Sequence, residues 1–332
     1  MSDLKRLDWV QANALVKNAT RIVILTHVNP DGDAIGSLRG LGHILEGQGK
    51  QVICAVDGGT PDFLGFLPGT AAIHPNLNQV DPAQVDLVII TDCSDERRIG
   101  EVGKVARTWG KPLINVDHHR TNLLFGDAIL VDSITASSTE MVLDWAEQAG
   151  WGVSPEAAEC LLCGLVTDTL CFRTNSTTPV TLQKAQKMMT YGGDLSRVVQ
   201  HTVSRIPTAV IRLWGVVMPS VRIENGVVWA KITIEADRET GAHGEDGGLP
   251  SLLLQADDAS ISCVITEIEG GKCELSMRAK PGFEVSGIAL NLGGGGHKLA
   301  AGASVVGSPD QVEGIVIPLL KEAVKAGASQ LR

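Results

Sequence analysis

The run Ile22-Val23-Ile24-Leu25, together with the segment Thr26-His27-Val28-Asn29-Pro30-Asp31-Gly32-Asp33 that follows it, constrains this chain more than anything else in it. Four consecutive aliphatic residues, three of them β-branched, read as a buried strand. One imidazole and two carboxylates then stand within the seven residues from His27 to Asp33. Pro30 and Gly32 break the extended backbone there, so these side chains can converge instead of alternating. Two carboxylates two residues apart repel each other unless positive charge lies between them. A divalent cation is the simplest source, and His with Asp suits manganese, zinc or iron better than calcium. The plainer alternative is an Asn/Asp turn that caps the next helix. Recurrence of the pattern downstream weighs against it.

Residues 51–56, 86–91, 113–116 and 128–131 read as further strands. The third strand of the series ends at Asp92, and 113–116 runs into Asp117-His118-His119. Helices are expected over 4–19, 34–45 and 137–148, with Gly47-Gln48-Gly49-Lys50 ending the second. Residues 57–80, rich in Gly and Pro, are expected to be mostly loop with a short helix. Ser154-Pro155-Glu156 starts another helix, apolar at Ala157, Ala158, Leu161, Leu162, Leu165 and Val166, with Asp168 near its far end. A carboxylate at the end of an apolar helix needs a charge partner. Arg173 or a metal would serve.

Strands alternating with helices over roughly 130 residues predict an α/β fold, a parallel sheet with helices on both faces. Ligands bind beyond the carboxyl ends of such strands, where His27, Asp92, Asp117, His118 and His119 all lie. Residues 190–206 read as the way out of this domain, which gives domains of 1–205 and 206–332. The second is expected to be a smaller α/β unit with a mixed sheet. It begins with a helix at 208–219, and the Asn225-Gly226 turn precedes a strand at 227–232. A glycine-rich, mobile loop at 240–250 and a hairpin of 261–268 with 273–279 follow. A helix at 285–292, the run Gly293-Gly294-Gly295-Gly296-His297-Lys298 and a helix from near Ser308-Pro309-Asp310 complete it.

Composition narrows the class. No apolar run approaches the roughly 18 residues of a membrane span, and the first residues lack a signal-peptide core, so a cytoplasmic protein with no membrane partner is expected. The seven cysteines are an odd number scattered through apolar segments, unlike a disulfide framework. Cys160 and Cys163 have no second pair at zinc-ribbon spacing and read as core. A net charge of −10 disfavours a protein that coats long nucleic acid through a basic surface.

His27, Asp31, Asp33, Asp92, His118 and Asp168 offer four carboxylates and two imidazoles. One tetrahedral ion cannot use them all; two octahedral-type ions sharing a carboxylate can. Two such ions stabilise both the entering and the leaving oxygen of an in-line phosphoryl displacement. His119 is the candidate general acid, or else a phosphate ligand, and Asp117 can orient an imidazole from behind.

Asp117-His118-His119 resembles the motif that names the DHH phosphoesterases. His27-x-x-x-Asp31-x-Asp33, Thr91-Asp92-Cys93-Ser94 and Thr167-Asp168-Thr169 resemble their first, second and fourth motifs. The glycine run with His297-Lys298 and Ala300-Ala301-Gly302 resembles the signature of the accessory DHHA1 domain. The resemblance covers nearly the whole chain in order. It implies one ion on His27, Asp31 and Asp92, and a second on Asp33, Asp92, His118 and Asp168, with Asp92 bridging. The ions would be two Mn²⁺, with Mg²⁺ or Co²⁺ as alternatives. The length is similar to the nanoRNase/pAp-phosphatase subgroup, whose members hydrolyse very short oligoribonucleotides, 3′-phosphoadenosine 5′-phosphate, or linear and cyclic dinucleotides.

In that subgroup the accessory domain holds the substrate, and Arg278, His297 and Lys298 with the Gly294, Gly295 and Gly296 backbone match its binding residues. Arg clamps phosphate bidentately, and glycine lets backbone N–H groups approach an anion. Arg98 and Arg173 stand just after metal-type motifs and are candidates for phosphate contact or for surface ion pairs. Pro250 departs from the usual helix start in relatives, which bears on substrate preference. The active site is expected in a cleft between the domains, and a homodimer is compatible with the pattern.

A cyclic-dinucleotide phosphodiesterase is the nearest alternative. A family II inorganic pyrophosphatase would share the metal motifs but not the glycine-rich His-Lys run. A non-catalytic nucleotide sensor would have lost a ligand. A processive single-strand exonuclease needs an aromatic-lined basic channel, at odds with one Tyr, five Phe and this net charge.

Overall fold

The computed structural model describes residues 3–330. The chain divides into two compact units, Met1–Arg205 and Ile206–Arg332.

The first unit runs β1 (Lys5–Leu7), α1 (Trp9–Asn18), β2 (Arg21–Leu25), α2 (Gly32–Gly47), β3 (Gln51–Ala55), β4 (Leu87–Thr91), α3 (Gly100–Arg107), β5 (Leu113–Asp117), β6 (Ala128–Asp132), α4 (Ser138–Ala149), α5 (Pro155–Asp168), α6 (Pro179–Thr190) and α7 (Leu195–His201). Its sheet has the order β1-β6-β5-β4-β2-β3, parallel from β6 to β3. Alternate residues of each strand face opposite ways. Ile22, Ile24 and Ile89 therefore pack with α1, α2, α4 and α5, and Val23, Leu25 and Ile90 pack with Val102 and Ala106 of α3. The chain leaves β2 on one side for β3 and returns on the other as β4. The topological switch point, where open α/β sheets bind ligands, thus lies between β2 and β4.

The helix expected over 4–19 is shorter. Lys5–Leu7 pairs antiparallel with β6, held by Lys5 Nζ on Asp132 at 2.6 Å and by the Leu4 N–H on Ser133 Oγ at 2.8 Å. That pairing covers an otherwise open sheet edge. Segment 57–80 contains only short 3₁₀ turns, Asp62–Leu64 and Thr70–Ala72. Ser137 and Ser154 cap α4 and α5 through the N–H groups of Glu140 and Ala157.

The second unit runs α8 (Thr208–Val217), β7 (Arg222–Glu224), β8 (Val227–Ile232), α9 (Ile234–Thr240), α10 (Leu249–Leu253), β9 (Ile261–Ile268), β10 (Lys272–Ala279), α11 (Ser286–Asn291), β11 (Gly295–His297), β12 (Ala300–Val306) and α12 (Pro309–Gln330). Its sheet, β11-β12-β10-β9-β8-β7, is mixed, with β8 and β9 the parallel pair. Val312, Val316 and Leu320 of α12 pack on one face with Ile261, Cys263 and Met277. Leu213, Leu249 and Leu253 of α8 and α10 pack on the other with Val228 and Val264. The expected loop at 240–250 ends in α10, where Pro250 sits in the first turn, a position that needs no backbone N–H donor. Among the described residues no helix is long and apolar enough to cross a membrane.

Candidate metal centre

Six side chains gather at the switch point. His27 follows β2, Asp92 follows β4 and His118 follows β5; Asp31 caps α2, Asp33 lies in its first turn, and Asp168 ends α5. His27 Nε2 lies 3.4 Å from Asp92 Oδ2 and 4.0 Å from Asp31 Oδ1. His118 Nε2 lies 3.3 Å from Asp168 Oδ2 and 3.8 Å from both Asp33 Oδ2 and Asp92 Oδ1. The donor atoms of His27, Asp31 and Asp92 lie within 4.8 Å of one another, as do those of Asp33, His118 and Asp168. Asp92 turns one oxygen to each group.

Glycines make this convergence possible. Gly32, Gly36 and Gly40 line one side of α2 against α5. A Cβ at Gly36 would stand 2.5 Å from the Cys160 carbonyl oxygen, one at Gly40 2.5 Å from the Leu161 side chain, and one at Gly32 would overlap Thr167. The close backbone approach brings the start of α2, with Asp33, to the end of α5, with Asp168. Asp33 is fully buried, and its oxygens accept from Ser138 N at 2.6 Å and Thr139 N at 3.0 Å, at the start of α4. Asp92 accepts from Ser138 Oγ at 2.9 Å. Its φ of 54° puts it in the left-handed region, which turns its side chain out of the line of β4.

Four carboxylates outnumber the two imidazoles of the cluster. Burial, reinforced by Asp168 and Asp92, pushes the Asp33 carboxyl well above the carboxylate range. Burial, with Asp92 and Asp31 nearby and only partly offset by His118, pushes Asp168 up to about 6. Burial should lower His118, but Asp168, Asp33 and Asp92 overcome it and hold the imidazole well above its ordinary range. Asp168 also stands at the negative end of α5, where an acid is unfavourable. Hard oxygen donors and imidazole nitrogens crowded in this way fit divalent cations. The His27 imidazole is prepared for it. His27 Nδ1 is 2.9 Å from the Val28 carbonyl, which can only accept, so the lone pair of the neutral ring is on Nε2, facing the carboxylates.

His119 is held differently. Its Nδ1 lies 2.7 Å from Asp117 Oδ1, and its side chain remains one-third exposed. Asp117 is buried, which alone would raise its pKa, yet His119 and Asn122 hold it below the ordinary carboxylate range. Asn122, Asn115 and Ser138 were not singled out by sequence. The string Ser137-Ser138-Thr139 at a helix start could have suggested an acid-binding N-terminus, whereas nothing local marks the asparagines.

The arginines divide. Arg173 donates Nε to the Leu170 carbonyl at 2.7 Å and is exposed; the partner of Asp168 is His118. Arg98 is exposed, and its carbonyl accepts Val28 N at 2.8 Å, tying its turn to the His27 loop. In the second unit, Arg278 pairs with Ala300, and Ala300 with His297. The three share one rung of one sheet face, the two long side chains roughly 10 Å apart across a small residue. Gly295, Gly296, His297 and Lys298 are exposed and Gly294 half-buried. Gly296 has φ 140°, and a Cβ there would meet Ala301 Cα at 2.5 Å; one at Gly294 would overlap the Gly302 carbonyl. The glycine run is thus the close-packed edge of a sheet.

The family model described as "DHH family, N-terminal domain" matches residues 21–165, and that of the DHHA1 domain matches residues 228–326. The chain belongs to this DHH family with its DHHA1 domain, and it is a phosphoester hydrolase. It is similar to the bifunctional oligoribonuclease and PAP phosphatase NrnA of Thermus thermophilus, 33% identical over 92% of this chain and 91% of that one. The protein of the same name in Bacillus subtilis is 29% identical over 90% and 93%. An exopolyphosphatase-related protein from Bacteroides fragilis has a crystal structure that matches with a TM-score of 0.85 at 25% identity, covering 96% and 97% of the two chains.

Proposed function

We propose that this chain is a manganese-dependent, two-ion phosphoesterase that cleaves short oligoribonucleotides and dinucleotides, and 3′-phosphoadenosine 5′-phosphate, to mononucleotides. The observation that carries the reading is that six ligand-type side chains gather on two sides of Asp92, His27 and Asp31 on one and Asp33, His118 and Asp168 on the other, with His119 also within reach of Asp92 and His118. The names of the Thermus and Bacillus relatives supply the substrate class. One ion is assigned to His27, Asp31 and Asp92, the other to Asp33, Asp92, His118 and Asp168. Bound there, they supply Lewis-acid charge to the reacting phosphoryl group. His119, backed by Asp117, holds a proton on Nε2 for the departing oxygen. Arg278, His297 and Lys298, with the N–H groups of Gly294, Gly295 and Gly296, hold the rest of the substrate, and Arg98 assists with phosphate. Residues 1–205 form the catalytic part and 206–332 the substrate-binding part.

The test is product analysis with manganese, offering a 5′-phosphorylated diribonucleotide, 3′-phosphoadenosine 5′-phosphate, a cyclic dinucleotide and pyrophosphate side by side. Mononucleotides from the first two with pyrophosphate untouched are expected. Hydrolysis of pyrophosphate alone, cleavage of the cyclic dinucleotide alone, or binding without turnover would each overturn the reading.

A further inference from the structure

Asp117 commits its two oxygens to different partners, Oδ1 to His119 Nδ1 at 2.7 Å and Oδ2 to Asn122 Nδ2 at 2.6 Å. The Asn122 amide has one orientation open to it. Its oxygen accepts the Leu124 N–H at 2.6 Å, so its nitrogen faces Asp117 and Asn115 Oδ1, the latter at 2.8 Å. Asn115 is fixed in turn, because its nitrogen donates to the Cys93 carbonyl at 3.1 Å. Asn115, Asp117 and Asn122 are all buried. They form a continuous chain of hydrogen bonds from the backbone beyond β4 to the His119 ring, in which Asp117 accepts from Asn122 on one side and from His119 on the other. A carboxylate only accepts, so His119 Nδ1 carries a hydrogen, and the proton that the imidazolium form can give up is the one on Nε2.

We propose that Asn122 is a positioning residue for protonation of the leaving group. By occupying Asp117 Oδ2 it keeps Oδ1 on His119, which holds a hydrogen on Nδ1, fixes the direction of the ring and leaves Nε2 as the atom that gains and gives the proton. The inference rests on the reading of His119 as general acid. In that step the P–O bond to the leaving alcohol breaks, its electron pair goes to the departing oxygen, and that oxygen takes the Nε2 proton. A water oxygen forms the new P–O bond and its proton passes to solvent, from which Nε2 is reprotonated.

Two substrates separate this role from packing. A 5′-phosphorylated diribonucleotide expels a ribose hydroxyl, which needs the proton. The p-nitrophenyl ester of a nucleoside 5′-monophosphate expels a phenolate, which does not. Asn122→Ala, the isosteric Asn122→Asp and His119→Ala are compared with the parent enzyme in the full-length, manganese-loaded protein, with bound manganese measured for each. For both Asn122 variants kcat on the dinucleotide is expected to fall about 100-fold, with turnover of the p-nitrophenyl ester, KM and manganese content changed by less than about threefold. Equal loss on both substrates, or no loss on the dinucleotide, overturns the role of Asn122, provided that His119→Ala still loses the dinucleotide selectively. If His119→Ala loses both substrates equally, the general-acid reading falls first and this inference with it.

Discussion

Asp33, Asp92 and Asp168 lie close enough to repel, and each is held by a different device: a helix start, a serine hydroxyl in a left-handed corner, and a histidine. Without metal the cluster keeps protons instead. Burial opposes charge on His118, but its three acidic neighbours overcome this and raise it; Asp168 is pushed up to about 6 by burial. A cation must displace those protons, so manganese affinity should rise as the pH climbs through about 6, where Asp168 ionises, and on through the higher range in which His118 loses its proton, with proton release greatest at the acid end. Calorimetric titrations in buffers of different ionisation enthalpy measure both, and an affinity flat across this range would remove His118 and Asp168 from the proposed ligand set. The six clustered side chains drew notice in the sequence because each stands beside a strand end or a helix end. Asn115 and Asn122 did not. An asparagine that works by orienting a carboxylate has no spacing rule, and only the folded β5 end shows what it touches.

At the scale of elements, the α2–α5 contact sets the metal-type geometry. Gly36→Ala would press a methyl against the Cys160 carbonyl, which is backbone and cannot swing aside. A loss of about 1–3 kcal/mol in stability is expected, with weaker manganese binding as Asp33 and Asp168 move apart. Gly40→Ala meets the end of the Leu161 side chain, which can rotate, and should cost less. Thermal melts with and without manganese test both. Strands β2, β4 and β5 could be read from sequence because buried parallel strands are continuous apolar runs. Lys5–Leu7 could not, since nothing but its pairing with β6 makes it a strand. Strand β12 was missed for a related reason. Ala300, Ala301 and Gly302 carry little strand propensity, and their place between β10 and β11 determines the backbone. Gly32, Gly36 and Gly40 went unremarked in the sequence, because their spacing gains its meaning only from the partner helix.

At the scale of the whole molecule, the class of fold was legible: a parallel α/β sheet followed by a smaller unit with a mixed sheet. The alternation of strand-like and helix-like segments carried the first part; in the second the hairpin of β9 and β10 was legible, whereas the parallel pairing of β8 with β9 has no local signal and the mixed sheet was implied by the family resemblance. Arg278 and the acidic cluster belong to different units of the chain, so their contributions should separate. Arg278→Ala is expected to raise KM for the diribonucleotide by about 10- to 100-fold, the value of a charge-assisted hydrogen bond, while manganese binding stays unchanged. Steady-state kinetics with metal titration would show the split, and a joint loss of both would argue against a substrate role for Arg278.

Asp92 occupies a backbone conformation that asparagine also adopts readily. The codons of these two residues differ at one base. That base change would preserve the corner after β4 and an acceptor for the Ser138 hydroxyl, while removing the negative charge that faces both His27 and His118. A gene copy released from selection for hydrolysis therefore has a short route to a folded, catalytically silent descendant, one on which loss of chemistry precedes loss of shape.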